Sequence, residues 1–286
     1  MLKRKLVKAG FFGHGAVFIM VSPFSVNSKA QISSYQPSGM STFTVNETFR
    51  KDTSDRLVSD TTTALLKPDT VLMSPKIRLN NQASSYVQQF LRKNAEDLQV
   101  VNKRSATCFR IIEPILEKYG LPLELKYLAV IESQLKASAV SRVGAKGPWQ
   151  LMPGTARDLG LRVSKKTDER THYYKSTVAA AKYLRDLYAE YGDWLLVIAA
   201  YNSGPVPVNK AIKRSGSHNF WKLQNFLPAE TRGHVKRFIG THCYFQNENS
   251  LTVLTKAETK EYLKAVSEYK IKQNLQLDGN TIIAVR

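Results

Sequence analysis

The sequence predicts a mainly α-helical protein. It has one helical domain over residues 76–246 and a small C-terminal element, a helix followed by a hairpin, over 247–286. Three observations carry this. Apolar residues recur at three- and four-residue spacing from about Asn81 to Phe245. The period-two alternation of a strand is nearly absent over the same stretch. Gly and Pro fall between the periodic segments, where helices stop and start.

Residues 1–30 read as an export signal. Lys3, Arg4, Lys5 and Lys8 give a basic start, Phe11 to Val26 is mostly apolar, and Ser28 and Ala30 form a small-x-small cleavage pattern before Gln31. An uncleaved N-terminal anchor is the rival reading, although His14 and Pro23 interrupt the apolar run. Residues 31–75, rich in Ser, Thr, Asn and Asp, read as a disordered spacer. Tyr86, Phe90 and Leu91 open the helical pattern, and Phe109, Ile112, Ile115 and Leu116 repeat it. Gly120-Leu121-Pro122 ends that helix and starts another, in which Leu125, Leu128, Ala129 and Glu132 share one face. Asp193-Trp194 opens an apolar run from Leu195 to Ala200, a buried helix that stops at Gly204-Pro205. In the tail, Lys256 to Tyr269 reads as a helix. Leu275–Leu277, Asp278-Gly279 and Thr281–Val285 read as a hairpin.

Lys and Arg number 42 against 23 Asp and Glu, a formal charge of +19. Such an excess points to a polyanionic partner or surface. The basic residues are spread along the chain and an export signal precedes them, so anionic envelope polymers fit better than nucleic acid. Nothing after the signal is long and apolar enough to span a bilayer. Cys108 and Cys243 either pair or stand as two separately buried thiols. The five His show no metal-ligand spacing, so neither a metal nor a cofactor is expected. The oligomeric state has no signature.

Glu132 sits on an otherwise apolar helical stripe. Burial there disfavours the charged form, which suits a general acid working near neutral pH; pairing with a nearby cation is the plainer alternative. The turn Gly144 to Gln150 carries an aromatic ring, Trp149, and an amide, Gln150, groups that suit sugar binding. Tyr201-Asn202 closes the buried helix, where polar groups either cap the helix or face a cleft.

Taken in order, several motifs resemble the lytic murein transglycosylases of goose-type-lysozyme-like fold, in particular the membrane-bound lytic transglycosylase D group. They are Gly-Leu-Pro-x-Glu-Leu-x-Tyr-Leu-Ala at 120–129, Glu132-Ser133, Gly147-Pro148-Trp149-Gln150, Asp168-Glu169-Arg170, Lys175-Ser176-Thr177, Ala200-Tyr201-Asn202-x-Gly204 and Leu227 to Arg232. The resemblance runs from about Ile77 to Phe245. It implies cleavage of the β-1,4 bond between N-acetylmuramic acid and N-acetylglucosamine, leaving 1,6-anhydro ends, in the periplasm of a Gram-negative envelope. It makes Glu132 the single acid/base and places Ser133, Gly147, Gln150, Met152, Tyr201, Asn202 and His234 around the substrate.

The chain departs from the family pattern at Pro148, at Val206-Pro207, at His172-Tyr173 and at His234, where relatives carry Tyr. Beside Glu132, a protonated His234 would favour the ionised carboxylate and give an acidic limb near pH ~6.5; pointing to solvent, it would do nothing. These departures keep open a glycan-binding module that cuts slowly or not at all. A goose-type hydrolase would need a second carboxylate, and Asp168 or Glu169 are the nearby motif candidates.

Overall fold

The computed structural model describes residues 73–283, with side chains to 275. The expected signal and nearly all of the expected spacer lie outside those residues. Among the described residues the protein is helical, and its only β pairings are isolated bridges, Val140–Lys146, Lys146–Leu151 and Val163–Asp168. Among the described residues no helix is long and apolar enough to cross a membrane.

Helix α1 (Asn81–Lys118) starts where Asn80 accepts from the Ala83 amide at 3.0 Å, and it buries Val87, Phe90, Val101, Ile112 and Leu116 along one stripe. Gly120, at φ +66°, turns the chain into a 3₁₀ turn (Leu123–Leu125) and then α2 (Lys126–Ser133). A long loop and the short α3 (Pro153–Asp158) follow, then α4 (Tyr173–Tyr191). His172 serves as the N-cap of α4, which accounts for a departure from the family pattern by a capping role.

Helix α5 (Trp194–Ser203) is the centre. Asp193 caps it by accepting from the Leu195 and Leu196 amides at 2.9 and 3.2 Å. Leu195 to Ala200 are each 0% exposed, so the helix is apolar all round because it is buried all round. It packs on α4, on α6 (Pro205–Ser215) and on α8 (Ala229–Phe245). The short α7 (Phe220–Leu223) buries Phe220 and Leu223. Helix α1 closes the other side against α4 and α8.

The last helix, α9, runs from Lys256 to Ile283. The expected hairpin is therefore incorrect: residues 275–283 continue the helix through Asp278-Gly279. A two-stranded hairpin with no sheet to join is marginal in water. Extending an existing helix needs no new nucleus, which offsets the ~1 kcal/mol cost of one glycine. At its start Thr255 and Glu258 form a capping box, with the Thr255 amide donating to Glu258 Oε2 at 2.8 Å and the Glu258 amide to Thr255 Oγ1 at 3.3 Å. Asn80 Nδ2 donates to Glu258 Oε1 at 2.9 Å, Asn249 Nδ2 to the Ile77 carbonyl at 3.2 Å, and Gln224 Nε2 to Gln82 Oε1 at 2.8 Å. The entry to α1 is thus held by three segments from far along the chain.

Cys108 and Cys243 are both free thiols, so the pairing left open by the sequence is not made. Cys108 Sγ donates to the Tyr173 hydroxyl at 3.2 Å, and Cys243 faces Asn249.

Candidate active site

Helix α2 packs on α8, and this brings Glu132 against His234. The Glu132 side chain is 5% exposed and that of His234 1%, with Oε1 and Nε2 3.4 Å apart. Burial pushes the Glu132 carboxyl up to about 8; Arg237 opposes the rise and Glu230 adds to it. Burial, then the charge of Arg237, pushes His234 down to about 3. At neutral pH the carboxyl is therefore protonated and the imidazole neutral. Their approach is a contact of two neutral groups rather than an ion pair. It also lacks hydrogen-bond alignment, so His234 Nε2 is buried without a partner. The acidic limb near pH ~6.5 that an ordinary His would give is not what this burial produces. His234 does not face solvent.

Glu230, His234 and Arg237 lie at i, i+4 and i+7 on α8, one face toward α2. Arg237 pairs with Glu230, and both side chains are about a quarter exposed, at 24% and 22%. The motif reading missed Arg237. Its signal was that helical spacing from His234.

The backbone around Glu132 is strained. Among the described residues the non-glycine positions at positive φ are Gln134 (54°), Leu135 (61°) and Gln150 (45°), all beside the site. Tyr173 donates its hydroxyl to the Leu135 carbonyl and so holds that end of α2. Ser133 Oγ lies 2.9 Å from the Pro148 carbonyl and 3.1 Å from that of Ala129, and accepts from the Lys136 amide at 3.2 Å. Its hydroxyl is spent on joining α2 to the 144–150 turn. Ser133 therefore positions the site and does not reach out to a sugar.

The turn itself is fixed by Gly147. At φ +85°, a Cβ there would stand 1.9 Å from the Arg170 carbonyl oxygen, so only glycine fits. Arg170 is buried and donates to the carbonyls of Gly144 and Leu151 at 2.7 and 2.9 Å, and to both Asp168 oxygens at 2.9 and 2.8 Å. This pairing holds Asp168 down to about 2. Lys175 and Arg162 hold Glu169 down to about 2. Both carboxylates are engaged by cations, Arg162 and Arg170 in the loop and Lys175 on α4, so neither is free to serve as the second carboxylate, the base or nucleophile, of a hydrolase.

Trp149 corrects the sugar-platform reading of this turn. It is 0% exposed, and its Nε1 donates to Thr177 Oγ1 at 2.9 Å; it is core. Its carbonyl accepts from the Tyr201 hydroxyl at 2.8 Å. Burial, followed by the charge of Glu132, raises the Tyr201 phenol well above its usual value, so the hydroxyl keeps its proton. Gln150 Nε2 donates to the carbonyls of Ala139 and Gly147 at 3.1 and 2.9 Å. Asn202 Oδ1 accepts from Thr231 Oγ1 at 2.9 Å, which fixes the amide and ties α5 to α8. Met152 is half-buried at the start of α3. The structure thus sets Glu132 against His234, ties Ser133, Gln150 and Tyr201 to the turn that Gly147 fixes, and ties Asn202 to α8. Met152 joins none of these hydrogen bonds and follows the turn only in sequence.

Residues 110–224 match the model of the transglycosylase SLT domain family, the kind of family that the motifs resemble. Membrane-bound lytic murein transglycosylase D of Escherichia coli K12 is 35% identical over 173 residues, 59% of this chain and 38% of that protein. The chain thus spans well under half the length of that relative. Among solved structures, a lytic transglycosylase Slt from Pseudomonas aeruginosa is 26% identical with a TM-score of 0.42, covering 47% of this chain and 23% of that one. The 70 kDa soluble lytic transglycosylase of Escherichia coli is 24% identical with a TM-score of 0.46, covering 52% and 26%.

Proposed function

We propose that this chain is a lytic transglycosylase that cuts peptidoglycan between N-acetylmuramic acid and N-acetylglucosamine after export to the periplasm. The observation that carries the reading is Glu132: one buried carboxyl, held protonated at neutral pH, with the nearby motif carboxylates Asp168 and Glu169 bound up in ion pairs.

Glu132 donates its proton to the glycosidic oxygen, and the bond from that oxygen to C1 of the muramic acid breaks. The N-acetylglucosamine leaves with a free hydroxyl. The substrate's acetamido oxygen supports the cationic C1. The Glu132 carboxylate then takes the proton of the C6 hydroxyl, whose oxygen closes onto C1 to give the 1,6-anhydro ring. The carboxyl ends protonated and no water is consumed. A buried carboxyl suits both halves of this cycle, because it is a ready donor first and a strong base once ionised. Neutral His234, with its unpaired Nε2, offers a hydrogen bond to the sugar or to Glu132 without stabilising the ionised acid early.

The test is digestion of purified sacculi followed by mass analysis. Anhydro-muropeptides are expected. Reducing-end muramic acid as the main product would make the protein a hydrolase. Glu132→Gln keeps the shape of the side chain and should cost at least about 10²–10⁴-fold in turnover with an unchanged circular dichroism spectrum. Turnover within tenfold of wild type would remove Glu132 from the role.

A further inference from the structure

Away from Glu132, a cavity of about 610 Å³ opens where the end of α4, the start of α5 and the start of α9 meet. That volume is of small-ligand size. Tyr188 and Trp194 line it as a stacked pair, centroids 4.1 Å apart and planes 20° apart, and Tyr188 is 40% exposed. Leu254 and Leu263 add apolar wall. Lys256 and Lys260 stand at its edge, both exposed; Lys256 Nζ reaches within 3.4 Å of where a Cβ on Gly192 would be. Among the described residues lining the cavity, Asp193 is the one acid. Its oxygens are consumed by the Leu195, Leu196 and Lys256 amides. The cavity therefore offers an aromatic face, apolar wall and two cations with no free anion to answer them.

We infer that this cavity is a second glycan-binding site, taking a pyranose that lies beside a carboxylate. The apolar face of the sugar packs on the Tyr188–Trp194 pair, and Lys256 and Lys260 pair with the carboxylate. In peptidoglycan that carboxylate comes either from the free lactyl group of a peptide-stripped muramic acid or from a stem peptide. The inference rests on the proposed substrate but not on the proposed reaction. Such a site would hold the enzyme on the polymer between cuts.

Retention on intact sacculi and on amidase-stripped glycan strands would be measured in a Glu132→Gln background, so that nothing is cut. Tyr188→Ala and the double change Lys256→Glu/Lys260→Glu should each lower retention about two- to tenfold. The charge-matched double change Lys165→Glu/Lys166→Glu, at exposed positions outside the cavity, should lower it far less. Loss on stripped strands assigns the lactyl carboxylate; loss confined to intact sacculi assigns the stem peptide. With Glu132 restored, turnover of a short soluble oligosaccharide should be unchanged. Unaltered retention in both cavity variants, or an equal loss in the charge-matched control, overturns the site. If the wild type makes no anhydro ends while the cavity variants still lose retention, the proposed reaction fails and the site stands.

Discussion

A carboxyl whose proton leaves only near pH 8 governs how this site responds to pH. The proposed first step needs Glu132 protonated, so turnover should hold level through neutrality and fall as pH rises through about 8. The ultimate slope should be about tenfold per unit. His234 stays neutral down to about 3 and adds no limb in that range. His234→Tyr should therefore leave the shape of the profile of muropeptide release unchanged; loss of an acidic limb in that variant would contradict the burial argument. The same shifts set stability. Glu132, raised on folding, stabilises most below its unfolded value of about 4.3 and loses that contribution up to about 8. Glu132→Gln should thus gain on wild type across that window, by up to ~1.4 kcal/mol per pH unit in denaturant titrations. His234, lowered on folding, acts in the opposite sense as pH falls below about 6.5. Glu132 was legible as a site residue because its apolar stripe is written in the spacing of Leu125, Leu128 and Ala129. The state of His234 was not legible, because an imidazole's pKa depends on depth of burial, which spacing does not encode.

Between elements, the motif residues act chiefly as ties. Ser133 joins α2 to the turn, Tyr201 joins α5 to the turn, and Asn202 joins α5 to α8. Gly147→Ala should disrupt this arrangement most, since its Cβ collides with backbone rather than with a flexible side chain. A loss of roughly 2–4 kcal/mol in urea unfolding is expected, together with loss of turnover. Ser133→Ala leaves the Pro148 carbonyl without that partner and should cost about 1–2 kcal/mol. Turnover should fall further than stability, because the strained backbone at Gln134 and Leu135 follows directly. The motifs identified which residues matter but not what they touch. The Tyr201 hydroxyl meets a carbonyl 52 residues earlier in the chain, and no local pattern predicts such a partner. Trp149 was misread for the same reason: a ring on a Gly-rich turn suits a sugar or a core equally well, and only the packing of α4 against it decides. The hairpin expected in the tail failed because turn chemistry at Asp278-Gly279 had no sheet to join.

At the scale of the whole molecule, the helical class was legible from periodicity alone. The way the two ends of the described domain meet was not. The outer part of α9 carries exposed Ile271 and Leu275, at 58% and 65%. Truncation before Ile271 should change stability by less than about 0.5 kcal/mol in thermal melts. The start of α9 behaves otherwise, because it and the preceding segment hold the entry to α1 across separations of 178 and 172 residues. Closing loops of that length costs entropy before it gains contacts. These links should therefore be absent from the folding transition state and form on its native side. They act as a latch on the finished structure: they slow its opening and contribute nothing to its assembly. Asn249→Ala, which frees the Ile77 carbonyl, should cost about 1 kcal/mol and appear almost wholly as roughly fivefold faster unfolding in stopped-flow experiments. Refolding slowed by as much would mean that the latch closes first.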